Sequence, residues 1–233
     1  MSMTEILRKA MEAQGIALSS EQENQFEIFF EALKETGAHT NLTAILDEAG
    51  VAEKHFADSL LPISMNLIRG DEKVIDVGSG AGFPGLPLKI VCPGLDMTLL
   101  EATGKKAAFI EAAAKRLDVN IHLINGRAEE IARSENARMC YDICVSRAVA
   151  RLNVLLELCA GFVRVGGRVM AYKGEKAAEE VKEAASAAKA LGLKYIGTYP
   201  DTLGMTQIVV YERIEKLREV YPRKFSNIKK KVL

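Results

Sequence analysis

From residue 71 onward, short apolar runs alternate with longer amphipathic ones, and no other property of the chain restricts its fold so tightly. The short runs are "KVIDV", "DMTLLEA", "NIHLING", "YDICVSRA", "GRVMAY", "KYIGTYP" and "TQIVVYERI". Each has the length of a strand and a share of β-branched or aromatic residues. Between most of them lie helical stretches: "GKKAAFIEAAAKRLD", "RLNVLLELCAGFV" and "EKAAEEVKEAASAAKALG". Strand and helix in alternation predict an α/β fold, a Rossmann-like doubly wound sheet of about seven strands, mostly parallel. The last two strand runs are joined by a turn-rich link holding Asp201 and Gly204, with no helix between them. They predict a hairpin and one antiparallel edge strand, because a link this short cannot make a parallel crossover.

The first seventy residues form a helical N-terminal section by pattern. Thr4 is the expected cap of a short helix that Gly15 ends, and Ser20 with Glu23 makes an expected capping box. Phe26, Phe29, Phe30 and Leu33 then recur at helical spacing, a core face that Gly37 is expected to stop. "HTNLTAI" is a loop by composition, and "VAEKHFADSLLPISMNLI" is helical with a break near Pro62. The expected organisation is a helical section at 1–70, an α/β domain at 71–212 and a basic tail at 213–233.

Charge sharpens that division. The 233 residues carry no net charge, yet residues 1–70 hold 5 basic and 11 acidic side chains, and residues 213–233 hold 8 basic and 2 acidic. The tail "YPRKFSNIKKKVL" clusters Arg223, Lys224, Lys229, Lys230 and Lys231, a group suited to phosphates or to plain solvation. No apolar run reaches the roughly 18 residues of a bilayer span. The start, "MSMTEILRKAMEAQG", carries acids early and lacks the apolar centre of a signal peptide. Cys92, Cys140, Cys144 and Cys159 show no CxxC spacing, so buried thiols are expected rather than a metal site or disulfides. A cytoplasmic protein with no membrane and no metal partner is the expectation.

"DVGSGAGFPGLPL", Asp76 to Leu88, follows the first strand run directly and holds four glycines and two prolines. In a doubly wound sheet, ligands bind outside the carboxyl ends of the strands. The segment "GAGFPG" satisfies the dinucleotide pattern GxGxxG, but Pro84 falls where close helix–sheet packing should begin. Asp76, two residues before Gly78, would repel a pyrophosphate, and repulsion grows as water is excluded. The same acid suits a ligand bearing an ammonium and a sulfonium, such as S-adenosylmethionine. Glu101, 23 residues after Gly78, can accept hydrogen bonds from ribose hydroxyls, a role equally suited to NAD. An NAD-dependent oxidoreductase and a non-catalytic RNA-binding module therefore remain alternatives at this point.

Several blocks together carry a resemblance. "DVGSGAGFPGLPL" resembles the cofactor loop of class I methyltransferases, and the "FPGLPL" ending is similar to one branch of them. "NLT" at Asn41, "HFADSLLP" at His55, "RAEE" at Arg127, "VSRAVA" at Val145, "YKG" at Tyr172 and "YPRK" at Tyr221 match the same branch in the same order. That branch is the glucose-inhibited division protein B family, the 16S rRNA guanine-N7 methyltransferases. At the end the chain departs from it: a glycine and two prolines usual there are replaced by Ser226, Ile228 and Val232. The resemblance implies S-adenosylmethionine as cofactor and 16S ribosomal RNA or the small ribosomal subunit as partner. It implies Gly78, Gly80 and Phe83 against the cofactor, Glu101 at the ribose, Ala128 and Glu129 around the adenine, and Arg147 near the methionine end. Asn41, His55, Arg147 and Lys173 are the candidates for the substrate side. Guanine nitrogen 7 is a lone pair without a proton, so no general base is expected. In keeping with that, "SRAVA" stands where an amino-methylating enzyme would carry NPPY.

Overall fold

A computed structural model describes residues 1–40, 42–202 and 205–233, with backbone alone at 38–40. In chain order its first half holds α1 (Met3–Ala13), α2 (Ser20–Thr40), α3 (Glu48–Gly50), a π-helical segment (Val51–Ala57), α4 (Leu61–Ser64), β1 (Lys73–Val77), α5 (Gly85–Val91), β2 (Asp96–Glu101), α6 (Gly104–Arg116) and β3 (His122–Asn125). The second half holds α7 (Ala128–Ile131), β4 (Tyr141–Arg147), α8 (Leu152–Ala160), β5 (Val163–Lys173), α9 (Ala177–Glu183), α10 (Ala185–Ala190), β6 (Leu193–Pro200), β7 (Gln207–Arg213) and α11 (Phe225–Lys230).

All seven expected strands form, in the order β3-β2-β1-β4-β5-β7-β6. The pairs β2–β3, β1–β4 and β4–β5 are parallel. The hairpin lies at one margin of the sheet, where β7 runs antiparallel to both β5 and β6, and β6 is the edge. Strand β5 begins at Val163, earlier than "GRVMAY" suggested. Its register with β4 jumps from Tyr141↔Val163 to Ile143↔Arg168, and the extra residues are taken up at Gly166, whose φ is +81°. A residue with a Cβ would strain that bulge.

The chain divides into two compact units, Met1–Asp71 with Ser79–Asn125, and Glu72–Gly78 with Gly126–Leu233. In the first unit, Phe26, Phe29, Phe30 and Leu33 are buried, as their spacing requires. Phe26 meets Phe56 at 4.9 Å between ring centroids, and Phe29 meets Phe109 at 6.5 Å. Three local expectations shift. Ser2, not Thr4, caps α1 in a box with Glu5, while the Thr4 hydroxyl donates to Glu27 at 2.5 Å. The second box is Ser19 with Gln22, and Glu23 instead pairs with Arg8 at 2.6 Å. Helix α2 continues through Gly37 to Thr40. A Cβ at Gly37 would sit 3.0 Å from the end of the Leu46 side chain, and the helix runs on although glycine carries a helix penalty of about 1 kcal/mol.

In the second unit, the largest wholly buried side chain is Arg213. Its Nε donates to Val163 O at 2.8 Å, and Nη1 donates to Leu191 O at 3.1 Å and Glu215 O at 3.2 Å. Nη2 donates to Ala160 O. Ala160 and Leu191 close α8 and α10, so one guanidinium satisfies carbonyls that helix ends leave without partners. Burial pulls its pKa down to about 10, which still leaves it charged at neutral pH. Cys144 and Cys159 are buried, and Cys92 and Cys140 half-buried, all as free thiols. Among the described residues, no helix is long and apolar enough to cross a membrane.

Candidate functional site

Residues 76–78 of the glycine loop belong to the second unit and residues 79–88 to the first. In the first unit, the start of the loop is tied to the end of β2. Ser79 N donates to Leu100 O at 3.2 Å, and Gly80 N donates to Glu101 Oε2 at 2.9 Å. The other oxygen of Glu101 accepts from Thr103 N at 2.7 Å. Glu101 is buried, yet each carboxylate oxygen keeps a further lone pair to offer. The residue therefore braces the loop and still has capacity for hydroxyls, a double role that spacing alone did not suggest. Gly82 N and Phe83 N both donate to Ser79 O at 2.8 Å, which coils the loop into a tight turn.

Phe83 is buried and stacks on Phe29 at 5.2 Å and on His55 at 4.7 Å. Two residues singled out separately in the sequence are thus neighbours. His55 stands half-buried in the π-helical segment, a rare geometry that recurs at functional sites. Its Nε2 lies 2.7 Å from Thr43 Oγ1. Asn41 lies outside the described residues.

In the second unit, Asp76 is wholly buried near the end of β1, paired in register with Val145. Ser146 donates to Val77 O at 2.7 Å and pins β1 to β4 where the loop departs. Gly78 has φ +76°, and a Cβ there would lie 2.4 Å from Val149 Cγ2. Glycine is thus required twice, by conformation and by space. Arg147 ends β4 half-buried, and Ala148 after it has φ +57°. Ala128 and Glu129 open α7, half-buried behind Arg127. Lys173 ends β5 with its side chain only 8% exposed, its Nζ 2.7 Å from Ala150 O and 2.8 Å from Glu180 Oε2. It is engaged with the protein itself, unlike a surface lysine.

The donor set suits one kind of ligand. The stretch from Asp76 to Leu88 has no lysine or arginine; in the second unit it begins at the buried carboxylate of Asp76, and in the first it is braced by the buried carboxylate of Glu101. The next cation, Lys89, is turned to the carbonyls of Pro93 at 2.8 Å and Leu95 at 2.7 Å, where burial lowers its pKa. Such surroundings favour a cation and hydroxyl donors, and disfavour a pyrophosphate. Ammonium, sulfonium and ribose fit this set. No group of three or more metal-binding side chains occurs among the described residues.

The tail is built into the second unit. Arg223 donates to Glu157 three times, from backbone N at 2.9 Å, Nε at 2.8 Å and Nη2 at 2.6 Å. Glu157 is 1% exposed, and a lone acid in the apolar run "RLNVLLELCAGFV" was the overlooked signal. Arg133 and Arg138 donate to the carbonyls of Val220, Tyr221 and Pro222 at 2.9–3.0 Å. Ile228 is buried, whereas Lys224, Lys229, Lys230 and Lys231 are exposed. Arg223 is thereby committed to structure, and the lysines remain for solvent or phosphate.

Comparison with known proteins adds an independent line. The model of a family described as rRNA small subunit methyltransferase G matches residues 22–198. A Brevibacillus brevis protein named ribosomal RNA small subunit methyltransferase G is 40% identical over 230 residues, 97% of each chain. One of the same name from Streptococcus pneumoniae is 41% identical over 216 residues, 91% of each chain. Among solved structures, M. jannaschii TYW2 in complex with AdoMet is similar in fold, with a TM-score of 0.54 and 18% identity, covering 73% of this chain and 80% of that one.

Proposed function

The chain belongs to the rRNA small subunit methyltransferase G family, and from that membership we propose that it methylates ring nitrogen 7 of a guanine in 16S ribosomal RNA with S-adenosylmethionine as methyl donor. The observation that carries this reading is the glycine loop with its two buried acids and no cation of its own. The reaction is placed in the cytoplasm, on 16S ribosomal RNA or on the small ribosomal subunit.

Bound S-adenosylmethionine would supply a methyl group already activated by its sulfonium. Glu101 would take its ribose hydroxyls, Gly78 and Gly80 would let the backbone come close, and Phe83 would lie against it. Ala128 and Glu129 would flank the adenine, and Arg147 would hold the methionine end. The target base must leave its stack to be reached. Asn41, His55 and Arg147 are assigned to hold it, an arginine donating to guanine O6 while nitrogen 7 stays open. Nitrogen 7 carries no proton, so the protein aligns the two partners and excludes water rather than abstracting a proton. Lys173, engaged by Glu180 and Ala150, is better assigned to holding its own loop than to holding RNA. Small subunits lacking the modification, incubated with the protein and S-adenosylmethionine carrying a labelled methyl, test the reading. Label should enter 16S RNA. Label found only in other RNA, or none in any RNA, would contradict it.

The exposed tail lysines make a separate prediction. Changing Lys229, Lys230 and Lys231 together to alanine should flatten the slope of log RNA affinity against log salt by up to about 2 to 3 units, roughly one for each phosphate that is no longer neutralised. Cofactor affinity should not change. An unaltered slope would assign these lysines to solvent.

A further inference from the structure

Between β4 and α8 the chain passes through Ala148, Val149, Ala150 and Arg151. The segment places Val149 Cγ2 where any side chain at Gly78 would have to go. It also directly follows Arg147. Ala148 is held at φ +57°, a conformation that residues with a Cβ keep only when their surroundings over-determine it.

Two half-buried charges anchor the chain just after it. Lys173 Nζ donates to Ala150 O at 2.7 Å and meets Glu180 Oε2 at 2.8 Å. Glu180 Oε2 accepts from Leu152 N at 2.7 Å, one of the first amides of α8, which have no partner within the helix. Burial works to raise the Glu180 carboxyl, but the Lys173 ammonium and the Leu152 amide outweigh it and hold its pKa below the usual range. The pair thus grips the C-terminal side of the segment, at Ala150 and at Leu152 just beyond it. Arg151 also meets Glu183 at 2.5 Å, but that pair is exposed and contributes little.

We propose that the Lys173–Glu180 ion pair is the positioning device for the Ala148–Arg151 segment, holding Val149 against Gly78 and fixing the direction of Arg147. The proposal rests on the methyltransferase reading above. Both charges act through the segment and neither touches the reactants. Released, the segment would shift the alignment on which transfer depends, and a misplacement of about 1 Å can lower a rate about 100-fold.

The test is single-turnover methyl transfer by the full-length protein at saturating RNA and cofactor, using Glu180→Gln, Lys173→Met and the double variant. Glu180→Gln keeps an acceptor for the Leu152 amide, which favours a folded protein. Each single change should lower the rate about tenfold or more, with the RNA KM within about threefold, and the double should be no slower than the slower single, as expected of groups acting as one unit. Hydrogen exchange at residues 148–152 should quicken in both single variants, a readout independent of activity. A rise in RNA KM confined to Lys173→Met, at unchanged rate, would make Lys173 a direct substrate contact and overturn the proposal. Multiplicative losses in the double variant, or unchanged exchange in the segment, would also overturn it. An inactive native protein would contradict the methyltransferase reading, while the exchange measurement would still decide the role of the ion pair.

Discussion

Gly78→Arg is expected to abolish S-adenosylmethionine binding, a loss beyond about 100-fold, while the protein stays folded. Two effects act together. A residue with a Cβ in the left-handed region costs roughly 1–2 kcal/mol, and Gly78 has φ +76°. The new Cβ would also begin 2.4 Å from Val149 Cγ2, so loop or segment must yield before the long cation is placed. That cation would then enter the space proposed for the cofactor. Glu101→Ala is the milder companion. It would remove the charge-assisted hydrogen bonds proposed to the ribose, each worth about 1.5–3 kcal/mol, and also the acceptors that hold Gly80 and Thr103. Affinity should fall tenfold or more by calorimetry. Native affinity in both variants would remove the glycine loop from cofactor binding.

The largest effect on stability is expected at Arg213. Arg213→Met keeps the apolar stem but strips the donors from the carbonyls of Ala160, Val163, Leu191 and Glu215. Buried acceptors left without donors cost about 1–3 kcal/mol each when uncompensated, so a loss of about 3 kcal/mol or more is expected even after relaxation. For a protein of this size that lowers Tm by roughly 6–12 °C. Lysine should not rescue, because a single ammonium cannot span carbonyls that a planar fork reaches. A thermal shift within about 2 °C of the native protein, read by calorimetry, would show those carbonyls finding other partners at little cost.

What the sequence made legible follows from the range of each interaction. The seven strands could be read because apolar runs bounded by turns are local. Caps slipped by one or two residues because Ser2 competes with Thr4, and Ser19 with Ser20, and only the fold decides which hydroxyl is in place. Gly37 misled for the opposite reason, since a local helix penalty of about 1 kcal/mol does not end a helix whose face is buried at Phe26, Phe29, Phe30 and Leu33. In the site, Gly78, Gly80 and Glu101 stood out through composition and spacing. The partners that organise them did not. Val149 is an ordinary residue in "SRAVA", made relevant only by its approach to Gly78. Glu180 is one of several acids on an amphipathic stretch and looks solvated until β5 brings Lys173 to it. Arg223 reads as one more charge in a basic tail, although Glu157, 66 residues away, holds it in the second unit.

The central claim is that the methyl group reaches nitrogen 7 of a guanine in 16S ribosomal RNA. Methylation there gives the ring a positive charge and makes it open to borohydride reduction, after which aniline breaks the chain at that nucleotide. Small subunits lacking the modification should be treated with the protein and S-adenosylmethionine, then with borohydride and aniline, and the 16S RNA mapped by primer extension. The account predicts a new scission at a guanine, dependent on both the protein and the cofactor and absent with Gly78→Arg. Methyl incorporation without any new scission would place the group on another atom and contradict the account.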